Sequence, residues 1–208
     1  MFLDSLRFSL ENFKINVQKN LFILVLLFLF SIFIDVSREF IGATGETALI
    51  IHGLVETIGT CLFYALILNE LLGGKKLSTL NFFTYLRINI LYSILYLIGS
   101  VFLIIPGLYI LTFFYFAPII ALEGKEDGSY FKKSKGIVKK SPWSVLAIGV
   151  SLLLLMSLEF WTMGLVSEAG TSFIVKYLTV IFVNLTVLVI DLYLFSATIY
   201  LYRKLSSV

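Results

Sequence analysis

Charge is scarce in this chain. Lysine, arginine, aspartate and glutamate make up 14% of its 208 residues, against roughly 25% in soluble domains. Hydrophobic residues reach 59% and mean hydropathy is +1.00. A soluble fold of this size could not cover so much apolar surface with so few charges, whereas a bilayer requires no such cover. A single cysteine, Cys61, excludes an intramolecular disulfide and any CxxC metal or redox motif, and small-residue packing is its expected role. The single histidine, His52, has no nucleophile at a recognisable spacing. HExxH, GxSxG, a Walker glycine loop and an acidic metal cluster are all missing from the sequence. The sequence therefore predicts neither an enzyme nor a cofactor or metal. Three prolines, with no Pro-rich linker, internal repeat or low-complexity segment, point to a single domain over 1–208.

What is present is a series of long apolar runs. The most informative is Ile88 to Leu122, 35 residues with no charge between Arg87 and Glu123. As one helix it would be about 52 Å long, far beyond a hydrocarbon core of roughly 30 Å. Pro106 and Gly107 stand at its centre, so two spans joined by a tight turn are expected. The predicted architecture is all-α and polytopic, with six transmembrane helices at about 20–37, 48–72, 88–105, 108–122, 143–161 and 173–202. Trp143 and Trp161 suit the interfaces at the two ends of the fifth, and Gly73 and Gly74 close the second. The sixth is longer than crossing needs and is expected to tilt or protrude.

The distribution of cations agrees with that division. Six spans put fourteen of the 16 lysines and arginines on one side, leaving only Arg38 and Lys176 on the other. A single crossing at 88–122 would split them 7 and 9, against the positive-inside tendency. The expected location is the cytoplasmic (inner) membrane, multi-pass, with both termini cytoplasmic. The net charge of +3 is spread along the flanks of spans, which speaks for orientation and secondarily for anionic lipid rather than for nucleic acid.

Two amphipathic segments are expected outside the hydrocarbon. Residues 1–19 carry Leu3, Leu6, Leu10, Phe13 and Val17 on one helical stripe, with Arg7, Glu11 and Lys14 beside or opposite it, the pattern of an interfacial helix. A signal peptide is the rival, but the segment is long and acidic, with no A-x-A site after the apolar run. The loop from Glu123 to Pro142 projects Tyr130, Phe131, Ile137 and Val138 on one side and Lys132, Lys133, Lys135, Lys139 and Lys140 on the rest. This is a basic amphipathic surface helix, weakened by roughly 1 kcal/mol at Gly136, which leaves a bent form open. Its lysines are candidates for contact with anionic phospholipid or an acidic partner, or they only fix the topology.

Inside the membrane, Asp191 lies 12 residues before Arg203, about 18 Å along a helix and so near mid-depth. A carboxylate there must pair, protonate or line a wet cavity. Tyr177, Asn184, Asp191 and Thr198 recur every seven residues on one face. The second span offers His52, Glu56, Thr60 and Tyr64, with His52 and Glu56 able to pair. Beside them runs the small-residue seam Gly53, Thr57, Cys61 and Ala65. The third adds Asn89, Ser93, Tyr96 and Ser100. These stripes either converge on a cavity or serve as hydrogen-bonding seams between helices.

Ile105, Pro106, Gly107, Leu108 and Tyr109, then Ala117, Pro118 and Glu123, then Ser134, Lys135, Gly136, Pro142 and Trp143 resemble the pattern of the YciC-like inner-membrane proteins. The pattern is also similar to the membrane domain fused to some bacterial glycerophosphodiester phosphodiesterases. The resemblance covers about 40 residues and implies a six-helix membrane module. It implies no catalytic residue, since the phosphodiesterase activity of the fused proteins belongs to a separate soluble barrel. Lysines stand here where those relatives often carry arginines, which argues against bidentate phosphate recognition at this loop.

The function expected first is non-catalytic action through membrane lipids and a membrane-protein partner or homo-oligomer. The alternative is a small-solute, ion or lipid transporter or channel with Asp191 as the coupling group. An immunity or accessory subunit of an exporter is a third.

Overall fold

The computed structural model describes residues 1–41, 46–74, 77–102, 104–124, 129–168 and 173–207. Among them are eight helices and no strand: α1 Phe2–Ile41, α2 Glu46–Leu71, α3 Thr79–Phe102, α4 Ile104–Phe113, α5 Ala117–Leu122, α6 Tyr130–Val138, α7 Pro142–Glu168 and α8 Phe173–Ser206. Gly42, Gly45, Lys75, Lys76 and Lys125 lie outside the described residues. Five helical stretches are long and apolar enough to cross a bilayer, with α4 and α5 counted together. The α6–α7 pair, bent by 112°, makes a sixth if it is taken as one span. The apolar surface is turned outward, with Phe22, Phe33, Val101, Ile174 and Phe182 exposed, while Asn20, Asn184, Asp191 and Thr198 are buried. That inversion suits a lipid solvent, in which apolar side chains gain nothing by hiding.

Cross-helix pairs set the order. Asp4 meets Lys204 and Asp35 meets Asn184, so α1 and α8 run antiparallel. Arg38 meets Glu56 and Phe30 meets Phe63, so α1 and α2 do too. In the other half, α3 packs on α4 and α5, and α7 joins the two halves through α4 and α8, while α2 and α3 touch only sparsely.

The α3–α4 contact is a hairpin of backbone against backbone. A Cβ placed on Gly107 would stand 3.0 Å from the Cα of Ser100, and one on Gly99 would stand 3.1 Å from the nitrogen of Gly107. Pro106 and Gly107 lie within the first turns of α4 rather than in the turn itself. Proline is accepted there because N–H groups of a first helical turn have no intrahelical partner. A second proline interrupts the returning helical arm of this hairpin. Pro118 cannot donate to the carbonyl of Phe114, which instead accepts from Ala117 at 3.0 Å, so α4 ends and α5 begins after a three-residue turn.

Two boundaries have clear causes. Gly73 (φ 125°) donates to Glu70 at 3.1 Å and Gly74 (φ 66°) to Asn69 at 3.0 Å, the Schellman pattern that ends a helix. At the other extreme, α1 does not divide into an interfacial helix and a span. With no glycine or proline before Gly42, nothing breaks it, and it runs for 40 residues. Its first half lies along α8, and the buried residues there are Ser5, Ser9 and Asn20; of the expected apolar stripe, Leu6, Phe13 and Val17 are half-buried against the core while Leu3 and Leu10 are exposed. Ser9 donates to the carbonyl of Tyr193 at 2.6 Å, Tyr193 to that of Leu6 at 2.9 Å, and Phe8 stacks on Tyr200 at 4.5 Å.

The short helix α6 buries Tyr130, Ser134 and Val138, one turn apart, and exposes Lys132, Gly136 and Lys139. A Cβ on Gly136 meets nothing within 4 Å. Gly136→Ala is therefore expected to raise stability by about 1 kcal/mol, the helix-propensity difference, as a higher Tm in detergent.

Candidate functional site

The two halves of the bundle enclose a cavity of about 490 Å³ lined from α1, α2, α3, α5, α7 and α8. Its polar wall is organised by α8, on which Asn184, Asp191 and Thr198 stand seven residues apart, about 10 Å per step, and all face inward. Each reaches a different element. Asn184 Nδ2 donates to Asp35 Oδ2 on α1 at 2.7 Å. The Tyr64 hydroxyl on α2 donates to Asp191 Oδ2 at 2.6 Å. Thr198 Oγ1 shares a 3.1 Å hydrogen bond with the hydroxyl of Tyr115, before α5. The result is a column of three polar rungs across the bundle interior.

Tyr64 is held for its task by the edge-on ring of Phe195, 4.9 Å away between centroids. The phenol on Asp191 also matches the partner type that a buried carboxylate requires. Glu56 stands at the same cavity, where Arg38 meets it at 2.6 Å. Three carboxylates, Asp35, Glu56 and Asp191, thus line one cavity, and none of its described lining residues is a lysine or arginine. Tyr85, Tyr92, Tyr115, Phe28, Phe30 and Phe195 supply aromatic walls, the surface on which organic cations are held by ring quadrupoles.

Other predicted residues fall differently. His52 does not pair with Glu56; its Nε2 lies 2.9 Å from Ser37 Oγ and 3.1 Å from the carbonyl of Ile34, locking α2 to α1 outside the cavity. On α3 the lining residues are Tyr85, Asn89 and Tyr92, not Tyr96. Asn89 donates to Cys61 Sγ at 3.4 Å. Of the small-residue seam, Cys61 and Ala65 are buried, but a Cβ on Gly53 would meet nothing within 4 Å. Among the described residues, no three or more His, Cys, Asp or Glu side chains gather as a metal-binding group.

Asp35 and Ser31 also line the cavity. They are polar residues four apart inside an apolar run, which puts them on one helical face, and that spacing was the available signal.

The loop lysines are partly committed to the fold. Lys140 Nζ donates to the carbonyl of Leu205 at 2.7 Å, and Lys135 Nζ lies 5.4 Å from the centre of the Tyr109 ring. Ser134 is buried, donating to the carbonyl of Phe113 at 2.8 Å and accepting from the N–H of Phe116 at 3.1 Å. Lys132 and Lys139 point outward, and Lys133 is half-buried. Comparison with protein-family models, with curated proteins and with solved structures finds no match to this chain.

Proposed function

We propose that this chain is a small transporter or channel for cationic solutes, non-catalytic, with Asp191 as the coupling group and Asp35 and Glu56 as further points of cation contact. The observation that carries this reading is a set of three carboxylates around one cavity whose described lining residues include no lysine or arginine, Arg38 reaching only Glu56 from outside that lining. The volume falls in the range of small-molecule sites, roughly 300 to 1,000 Å³, and aromatic walls favour an organic cation over a hydrated metal ion. The sparse α2–α3 contact supplies a seam along which the two halves can part. The proposed setting is the cytoplasmic membrane, with the lysine-rich end of the bundle inside.

Proteoliposomes loaded with nucleic acid and presented with ethidium test it. Uptake should depend on the pH gradient and fall at least about tenfold in Asp191→Asn, the loss of roughly one charge-assisted hydrogen bond. Uptake that is unchanged in Asp191→Asn and in the Asp35→Asn, Glu56→Gln double variant would remove the assignment.

A second reading, contact with acidic lipid or a protein partner through α6, is supported by the outward Lys132 and Lys139. Lys132→Gln with Lys139→Gln should weaken sedimentation with phosphatidylglycerol liposomes, by about 1 kcal/mol per lysine. Membership of the YciC-like proteins is likewise a proposal. Its support is that Ser134 caps the break just before Ala117 and Pro118 through the N–H of Phe116.

A further inference from the structure

A second cavity, about 530 Å³, lies between α1, α2 and α8 and is separate from the carboxylate-lined one. Its wall includes Lys19, Asn20, Glu70, Arg203 and Lys204. Three cations converge there from two helices. Arg203 is exposed and steadied by a 3.0 Å hydrogen bond to the carbonyl of Leu71. Lys204 sits over the Tyr200 ring at 5.6 Å and 3.5 Å from Asp4. Lys19 is exposed.

An independent feature marks the floor of this cavity. Asn20 is 0% exposed, and its Oδ1 is the one buried side-chain nitrogen or oxygen among the described residues without a hydrogen-bond partner. The amide cannot be turned to relieve this. Nδ2 donates to the carbonyl of Asn16 at 2.9 Å, and exchanging the two atoms would set two acceptors face to face. A buried acceptor left unmet is costly, so the site calls for a donor. Anything that fits must therefore carry negative charge for the cations and, next to it, an O–H or N–H for Asn20. Lys19 and Asn20 immediately precede the apolar run Leu21 to Ile34, which places the cavity where lipid headgroups meet hydrocarbon.

We propose that this cavity binds a phospholipid headgroup, with the phosphate met by Lys19, Arg203 and Lys204 and a headgroup hydroxyl or ammonium donating to Asn20 Oδ1. Glu70, on the same wall, gives an ammonium a second acceptor. A free phosphate ester with a neighbouring hydroxyl shares this chemistry.

The test measures lipid retention by native mass spectrometry on the full chain in neutral detergent. The probes are phosphatidylglycerol, phosphatidylethanolamine and phosphatidylcholine with identical acyl chains. The first two carry a donor and the third does not, so they should be retained roughly tenfold better, the effect of satisfying one buried acceptor. Asn20→Leu should abolish that preference without lowering phosphatidylcholine retention, and Asn20→Ala reads the same quantity should the leucine variant fail to fold. Lys19→Gln combined with Arg203→Gln should weaken all three. Displacement by millimolar glycerol 3-phosphate would support the chemistry and name the soluble ester as its source, whereas resistance to it would support the lipid. Equal retention of phosphatidylethanolamine and phosphatidylcholine, which have the same net charge, by the unaltered chain, or a preference between those two that survives both Asn20 variants, would overturn the proposal. None of these measurements involves cation flux, so the outcome stands apart from the transport reading.

Discussion

Gly107→Val is expected to disrupt the α3–α4 hairpin and to lower stability by about 3 kcal/mol or more, the upper range for overpacking a tight contact. A Cβ at this position would lie 3.0 Å from Ser100 Cα and 3.1 Å from its nitrogen, and backbone cannot swing aside as a flexible side chain can. The added methyls reach further still. Relief requires α3 and α4 to separate, which also moves Leu111, a buried neighbour of Gly149 on α7. Thermal unfolding in detergent should show a large fall in Tm together with loss of monodisperse protein. Valine at Gly53, where a Cβ meets nothing within 4 Å, provides the control and should change little. Equal behaviour of the two variants would mean that the hairpin is not packed as described.

Ser134→Ala is expected to cost about 1–3 kcal/mol, because it strands a buried donor. The break before Pro118 leaves the N–H of Phe116 without a helical acceptor, and the hydroxyl of Ser134 accepts it while donating to the carbonyl of Phe113. Phe116 is fully buried, so water cannot replace the serine without opening the packing around it. The measurement is hydrogen exchange at the Phe116 amide, which should accelerate in Ser134→Ala, together with a lower Tm. Lys132→Ala, on the exposed face of the same helix, should stay within about 0.5 kcal/mol of the parent. A slow Phe116 amide in the alanine variant would show that another group takes over the cap.

Both predictions concern features that the sequence half reveals. The uncharged stretch from Ile88 to Leu122 demanded a reversal, and Pro106 located it to within a few residues. The break at Pro118 was not anticipated, because hydrophobicity is continuous across it and a kink leaves no trace in a hydropathy count. The polar stripe of Asn184, Asp191 and Thr198 was legible, since heptad spacing of polar side chains in an apolar helix has few explanations. Its partners were less so. Tyr64 was on the expected face, but Asp35 stood too near Arg38 to be separated from the end of a span. The first helix misled most. Its leucines trace a convincing amphipathic stripe, of which Leu6, Phe13 and Val17 do pack on the core while Leu3 and Leu10 do not, and the hydrogen bonds to α8 come from Ser9 and Asn16. Where neighbouring helices gain little from apolar contact, small and hydrogen-bonding residues report the interface better than leucines do.

The unbroken α1 helix reaches both cavities, with Asn20 in one and Asp35 in the other. Fifteen residues separate them, about 22 Å of stiff rod, so a tilt of some 3° pivoting at one end displaces the other by about 1 Å. With no glycine or proline in the helix to hinge it, a molecule bound in either cavity would act on the same lever. Whatever free energy one such molecule contributed by leaning that lever would be felt by the other in equal measure.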